Sequence, residues 1–191
     1  MRNDGSEVSV ARWRRSCRTL SAIWVLSRCR NYERVCATRR HRFRHALVNV
    51  IAEVLNGMQR LRTRVAKLGM MSDTDFDEIA SWEESPLASL FDVALFSCYE
   101  GVAKPEPAFY QLATQRLGVD PRRCIYAGDG TRDEHVGARE MGMSPVLVTW
   151  SLESEAPERI PVLAQGCDAV VRYPGDVMVL LDNDNTAYTD E

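Results

Sequence analysis

Ser72 closes the apolar run AKLGMM. Lys104 sits in GVAKPEP, shortly after the run FDVALF, and Gly128-Asp129-Gly130 follows RCIYA, with Asp133 and Glu134 close behind. A hydroxyl at Ser72, together with backbone N–H groups such as that of Asp73, suits the oxygens of a phosphoryl group. Lys104 adds positive charge against such a group and is held by the stiff Pro105 and Pro107. Asp129 with Asp133 or Glu134 offers oxygens to a hard divalent cation, directly or through water. Gly128 and Gly130 allow a tight turn and close backbone approach. Each residue alone has a plainer explanation, as a strand-end serine, a surface lysine or a turn-forming aspartate. Their order and spacing together point to one site.

Such a site needs a scaffold that gathers the ends of several strands. Leu47, Val50, Ile51, Val54, Leu55, Met58 and Leu61 recur at helical spacing, with Arg60, Arg62 and Arg64 where cations suit the helix dipole. Residues 66–71 read as a strand, 75–81 as a helix and 91–96 as a second strand. Residues 107–117 have helical spacing, with proline at the start and Gly118 just past the end. Residues 123–127 form a third expected strand, 133–141 a helix closed by Gly142, and 145–149 a fourth strand. A short strand over 169–171 and a terminal helix over 177–181 complete the pattern. Strands alternating with helices imply an α/β fold, a doubly wound parallel sheet whose active edge lies at the carboxyl ends of the strands. The strands are expected to end at Met71, Phe96, Ala127 and Thr149, bringing Ser72, Lys104 and Asp129 to one pocket.

The stretch SCYEGVAKPEPAFYQLATQRLGV, followed by YAGDGTRDEHVGAREMGM, closely resembles the third and fourth motifs of the haloacid dehalogenase (HAD) hydrolases. The likeness is nearest to the phosphoglycolate-phosphatase-like branch. KLGMMSD resembles the second motif and places its hydroxyl on Ser72, although Asp73 stands where asparagine is common. The resemblance covers residues 47–182, about 135 of 191. It implies a Rossmann-like sheet and a Mg2+-dependent phosphatase acting on a small phosphorylated metabolite. It also implies Ser72 and Lys104 as catalytic residues, Ser72, Asp73 and Lys104 around the phosphate, and Asp129 with Asp133 or Glu134 at the metal; the Gly137-Ala138 register favours Glu134.

The family's first motif, two aspartates two residues apart at the end of a central strand, has no match. The only aspartate before Asp73 is Asp4, which follows no apolar run. Were residues 20–26 (LSAIWVL) to supply that strand, the two positions would fall on Ser27 and Cys29. Only 44 residues separate Ser27 from Ser72, too few for the usual cap domain. The fold is therefore expected to be N-terminally incomplete and uncapped, with catalysis impaired. A non-catalytic scaffold that binds phosphate, a metabolite or a protein partner is the alternative.

Residues 1–50 carry twelve arginines against three acids, so the remaining 141 residues hold the negative charge that leaves the chain at −3. Residues 1–45 show no sustained period and are expected to form a basic, poorly ordered extension. The folded domain would run over 46–182 and a disordered tail over 183–191. Arginine outnumbers lysine 22 to 2, a texture that off-frame translation of GC-rich DNA also produces. No aromatic-interleaved basic face supports nucleic-acid binding. Six cysteines without a CxxC pair argue against zinc and for free thiols in a reducing compartment, the cytoplasm. No apolar run is long enough to span a membrane. Oligomeric state leaves no mark in the sequence.

Overall fold

A computed structural model describes residues 32–183. The chain begins there with helix α1 (Tyr32–Val48), followed by α2 (Ala52–Arg62) and strand β1 (Gly69–Ser72). A short helix α3 (Phe76–Ile79) leads to β2 (Val93–Phe96), and α4 (Pro107–Leu117) leads to β3 (Ile125–Gly128). Helix α5 (Glu134–Glu140), β4 (Ser144–Val148), β5 (Ala169–Val171) and α6 (Met178–Asn183) complete the order.

The helical period expected over 47–61 is broken between α1 and α2. Asn49 causes the break: its backbone N–H and side-chain amide both donate to the His45 carbonyl at 2.9 Å, closing α1 locally. Helix α4 matches expectation at both ends. Pro107 opens it and Gly118 closes it in the left-handed region at φ 69°.

Among the described residues all strand pairs are parallel, as the alternation of strands and helices requires, and they form two sheets. β1 pairs with β2, and β4 lies between β3 and β5. β4, covered on both faces, is buried from Pro145 to Val148, the continuous apolar pattern of an interior parallel strand. The two pieces are joined through the helical layer. Helix α4 packs on β1 and β2, α5 packs on β3 and β4, and the two helices pack on each other. Met71 of β1 touches both the Leu95–Phe109–Ala113 cluster and the Tyr110–Ala138–Met143 cluster, and the latter also takes Tyr126 of β3.

Helix α1 covers the described part of the basic arm. The described part of that arm is helical, and the boundary expected at residue 45 falls inside α1. Its arginines are paired with acids far along the chain: Arg39 with Asp75 and Glu78 at 2.7 Å, Arg44 with Glu84 at 2.5 Å, and Arg40 with Asp77 at 3.7 Å. Leu47 adds an apolar contact to the Ile79–Trp82–Phe96 cluster. The charge asymmetry of the sequence is thus in part a docked interface. Residues 1–31, including the run 20–26, and the tail from 184 lie outside the described residues.

This interface carries a pH prediction. Burial acts to raise the Asp75 carboxyl, but the Arg39 hydrogen bond and the backbone N–H groups of Glu78 and Asp77 outweigh it and hold the value below the ordinary carboxylate range. A carboxyl lowered on folding contributes stability that is complete above its unfolded value, about 3.9 for aspartate, and lost as pH falls through the folded value. Urea unfolding at pH 6 and pH 3 is therefore expected to show a larger acid loss for the native chain than for Asp75→Asn. Equal losses would remove Asp75 from the account.

Candidate functional site at the carboxyl ends of the strands

The site is built around one buried carboxylate. Glu134, at the start of α5, has a side chain only 2% exposed. Its Oε2 accepts from Lys104 Nζ at 2.7 Å and from the Tyr126 hydroxyl at 2.7 Å, and its Oε1 accepts from the Gly130 N–H at 2.9 Å. The Tyr110 hydroxyl donates to the Glu134 backbone carbonyl at 2.7 Å. Glycine is required at 128, since a Cβ there would stand 2.3 Å from Glu134 Oε1.

Lys104 is held from both sides. Its backbone N–H donates to Asp73 Oδ1 at 3.0 Å, while its ammonium reaches Glu134. Asp73 follows directly on Ser72, the half-buried last residue of β1, and its Oδ2 lies 4.0 Å from the Arg132 guanidinium. Ser97 ties this loop to the end of β2, accepting from the Thr74 N–H at 2.9 Å and donating to the Thr74 carbonyl at 3.1 Å. Burial, followed by the Glu134 charge, pushes the phenols of Tyr110 and Tyr126 upward, so both remain neutral donors.

The structure gathers Asp73, Lys104 and Glu134 into one connected set, with Ser72 beside Asp73. It does not bring Asp129 and Asp133 into that set by any of these bonds. Asp129 Oδ1 accepts from the Thr131 N–H at 3.0 Å, inside its own turn. Asp133 is exposed, and it and Arg132 adopt left-handed backbone at φ 56° and 54°. Two consecutive non-glycine residues in this region cost roughly 1–3 kcal/mol each, so the turn is held by its surroundings.

The Mg2+ site implied by resemblance can be tested on this geometry. Among the described residues, no group of three or more His, Cys, Asp or Glu side chains is arranged to hold a metal ion. Both Glu134 oxygens already have protein donors. Freeing them would leave a buried charge unpaired, at a cost of about 3–5 kcal/mol. The residues as arranged do not fit the ion, and no magnesium step follows from them. An open cavity of about 310 Å3 lies elsewhere, lined by Ala52, Glu53, Asn56, Arg60, Tyr173 and Asp176.

Comparison with known proteins agrees with this scaffold. A model of the haloacid dehalogenase-like hydrolases matches residues 24–140. The chain belongs to that family. The glyceraldehyde 3-phosphate phosphatase of Pyrococcus furiosus is 32% identical over 104 residues, which is 52% of this chain and 43% of that protein. The phosphoserine phosphatase of Thermus thermophilus is 35% identical over 80 residues, 42% of this chain and 32% of that protein. The chain thus spans less than half the length of either relative.

Two solved structures share the HAD fold. A HAD phosphatase from Thermococcus onnurineus aligns with TM-score 0.55 at 21% identity, over 70% of this chain and 58% of that one. A 2-haloacid dehalogenase from Pseudomonas syringae aligns with TM-score 0.54 at 21% identity, over 90% and 80%. At that identity the likeness carries the fold and does not choose between the two chemistries.

For this HAD-family chain, sequence reasoning missed Tyr126, Tyr110 and Arg132. Tyr126 had a readable signal. It lies two residues before Gly128 on one strand and so points to the same face, where the carboxylate is received. Among the described residues no helix is long and apolar enough to cross a membrane, and Cys36, Cys98, Cys124 and Cys167 are free thiols.

Proposed function

We propose that this chain is a HAD-family phosphatase scaffold that recognises a small phosphorylated metabolite and whose hydrolytic turnover is impaired. The observation that carries this reading is the closed Lys104–Glu134 pair, with Tyr126 and Gly130 donating further hydrogen bonds so that both oxygens of the carboxylate are engaged. A lysine so engaged is partly neutralised against a transferring phosphoryl group, and the carboxylate is not offered to a metal. The missing first-motif aspartates, the family's attacking group, point the same way. The phosphatase names of the two relatives support a phosphate monoester as the molecule recognised. Ser72, the N–H groups around Asp73, and Lys104 are the groups that would face it, and Asp129 and Asp133 would border the site rather than hold an ion.

The same closed pair also supports the second reading, a scaffold that binds phosphate or a metabolite without turnover. Hydrolysis of a chromogenic phosphomonoester separates the two from an ordinary enzyme. Losing one member of a catalytic unit commonly removes several orders of magnitude of rate. The chain is therefore expected to show turnover near background, unchanged by added Mg2+ and unchanged in Asp129→Ala. Robust Mg2+-dependent turnover that disappears in that variant would restore the plain enzyme reading. Calorimetric titration with inorganic phosphate then asks whether recognition survives without catalysis.

A further inference from the structure

The segment that follows β1 is acidic and too short to shape itself. Asp73, Asp75, Asp77 and Glu78 put four carboxylates into six residues, and α3 within it is a single turn of four. One turn fixes several residues for very few hydrogen bonds of its own, so its shape depends on what caps it. Asp75 and Glu78 form that cap. Asp75 Oδ1 accepts from the N–H groups of Asp77 at 3.0 Å and Glu78 at 3.1 Å. Glu78 Oε2 accepts from the Asp75 N–H at 3.0 Å and from the Thr74 hydroxyl at 2.6 Å. The cap thus gathers two carboxylates in one turn, and like charges three residues apart repel unless a cation stands against both.

That cation is Arg39. Its guanidinium grips Asp75 with both prongs, Nη1 to Oδ1 at 2.9 Å and Nη2 to Oδ2 at 2.7 Å, and Nη2 also reaches Glu78 Oε1 at 2.7 Å. Phe43, one turn further along α1, lies against the guanidinium, with its ring centre 4.9 Å from Arg39 Cζ, and steadies the fork. The rest of α1 offers little purchase: from Glu33 to Val48 none of its residues is buried. Beyond the turn, the bonds run on into the site. The Thr74 N–H and carbonyl are both tied to Ser97, and Asp73, the next residue back, accepts from the Lys104 N–H at 3.0 Å.

We propose that Arg39 is a positioning residue for the site: by clamping Asp75 and Glu78 together it fixes loop 73–75, and with it the place of Asp73 and of the Lys104 backbone. Arg39 touches none of the groups that would face a phosphate and acts on them through the turn. As a role in recognition, this rests on the reading of this edge as a phosphate site; as a role in loop geometry, it does not. Arg44 offers a built-in comparison. It makes an ion pair from the same helix, but to Glu84, which lies outside both loop 73–75 and α3.

Hydrogen exchange on the full chain, read at single amides, tests the clamp. Arg39→Met keeps much of the side chain's bulk and removes the fork. It is expected to speed exchange of the Thr74 and Lys104 amides at least about tenfold. The amides of Leu147 and Val148, buried in β4, should stay as slow as in the native chain. Arg44→Met removes the other ion pair and should leave Thr74 and Lys104 unchanged. Native rates at those two amides in Arg39→Met would overturn the proposal. So would an equal rise in Arg44→Met, or one shared by Leu147 and Val148, since Arg39 would then only hold α1 or the whole fold together. Arg39→Lys keeps the charge but loses the two-pronged grip, and a smaller rise of the same sign is expected. Should Arg39→Met fail to fold, native rates in Arg39→Lys would decide against the clamp in its place. Calorimetry with inorganic phosphate reads the recognition half. Affinity should fall about fivefold or more in Arg39→Met and hold in Arg44→Met. Equal affinity in the native chain and Arg39→Met would refute the positioning role. A native chain that binds no phosphate would sink the phosphate reading itself, and the exchange rates would still decide the clamp.

Discussion

Replacing Lys104 with methionine is expected to lower the unfolding free energy by about 3–5 kcal/mol, although methionine nearly matches the lysine stem in length. The loss comes from the carboxylate left behind rather than from the lysine removed. Glu134 is 2% exposed, and Lys104 is the cation paired with it at 2.7 Å. The hydroxyl of Tyr126 and the N–H of Gly130 would remain, but neither carries charge. The double variant Lys104→Met with Glu134→Gln should recover most of the loss. The introduced side-chain amide is neutral and can still accept from Gly130 while its NH2 group turns toward the Tyr126 oxygen. Urea unfolding of the two single variants and the double variant closes the cycle. A Lys104→Met variant within about 1 kcal/mol of the native chain would show that water or a rearranged arginine reaches Glu134, removing the basis for the closed pair.

Gly175→Ala is expected to be nearly as damaging, at about 3 kcal/mol, the upper end of the usual overpacking range. An added Cβ would stand 2.3 Å from the Gly57 carbonyl carbon, 2.5 Å from its Cα and 2.7 Å from its oxygen. These are backbone atoms of α2, so no side chain can turn aside to make room. The turn Pro174–Val177 packs closely along α2 and against β3 and β5, so the clash would pry the helix from that turn. The reciprocal change should behave differently. A Cβ on Gly57 meets the Gly175 Cα at 3.3 Å, a contact that a shift of a few tenths of an ångström relieves. Alanine inside a helix is also favoured over glycine by about 1 kcal/mol. Gly57→Ala should therefore be close to neutral in thermal unfolding. Equal losses for the two variants would contradict this packing geometry.

Most of the strand and helix order was legible because it rests on local signals. Helix α4 and strand β5 have the bounds read from the sequence, and β2 ends at Phe96 as expected, while β1, β3 and β4 end within one residue of expectation. Prolines, glycines and apolar period are properties of neighbouring residues, and neighbours are what a sequence displays. Helix α1 was illegible for the opposite reason. Its partners Asp75, Glu78 and Glu84 lie 36 to 40 residues away, and arginines that pair across such a distance leave no apolar period. The site divides in the same way. Asp73, Lys104 and Glu134 could be named from their motifs, while Tyr126 looked like one more apolar strand residue.

The sequence by itself determined the family, the parallel α/β order, the carboxyl-edge location of the polar residues and the lack of a first-motif aspartate. Each of these is written in residue types at short spacing. Only the tertiary structure decided what the polar residues do to one another. It turned Glu134 inward onto Lys104, Tyr126 and Gly130, left Asp129 bonded to its own turn, and, among the described residues, placed β1 and β3 in separate strand pairings. Whether a carboxylate meets a lysine, a metal or water depends on donors brought from two different strand ends, and that juxtaposition exists only once the strands are side by side.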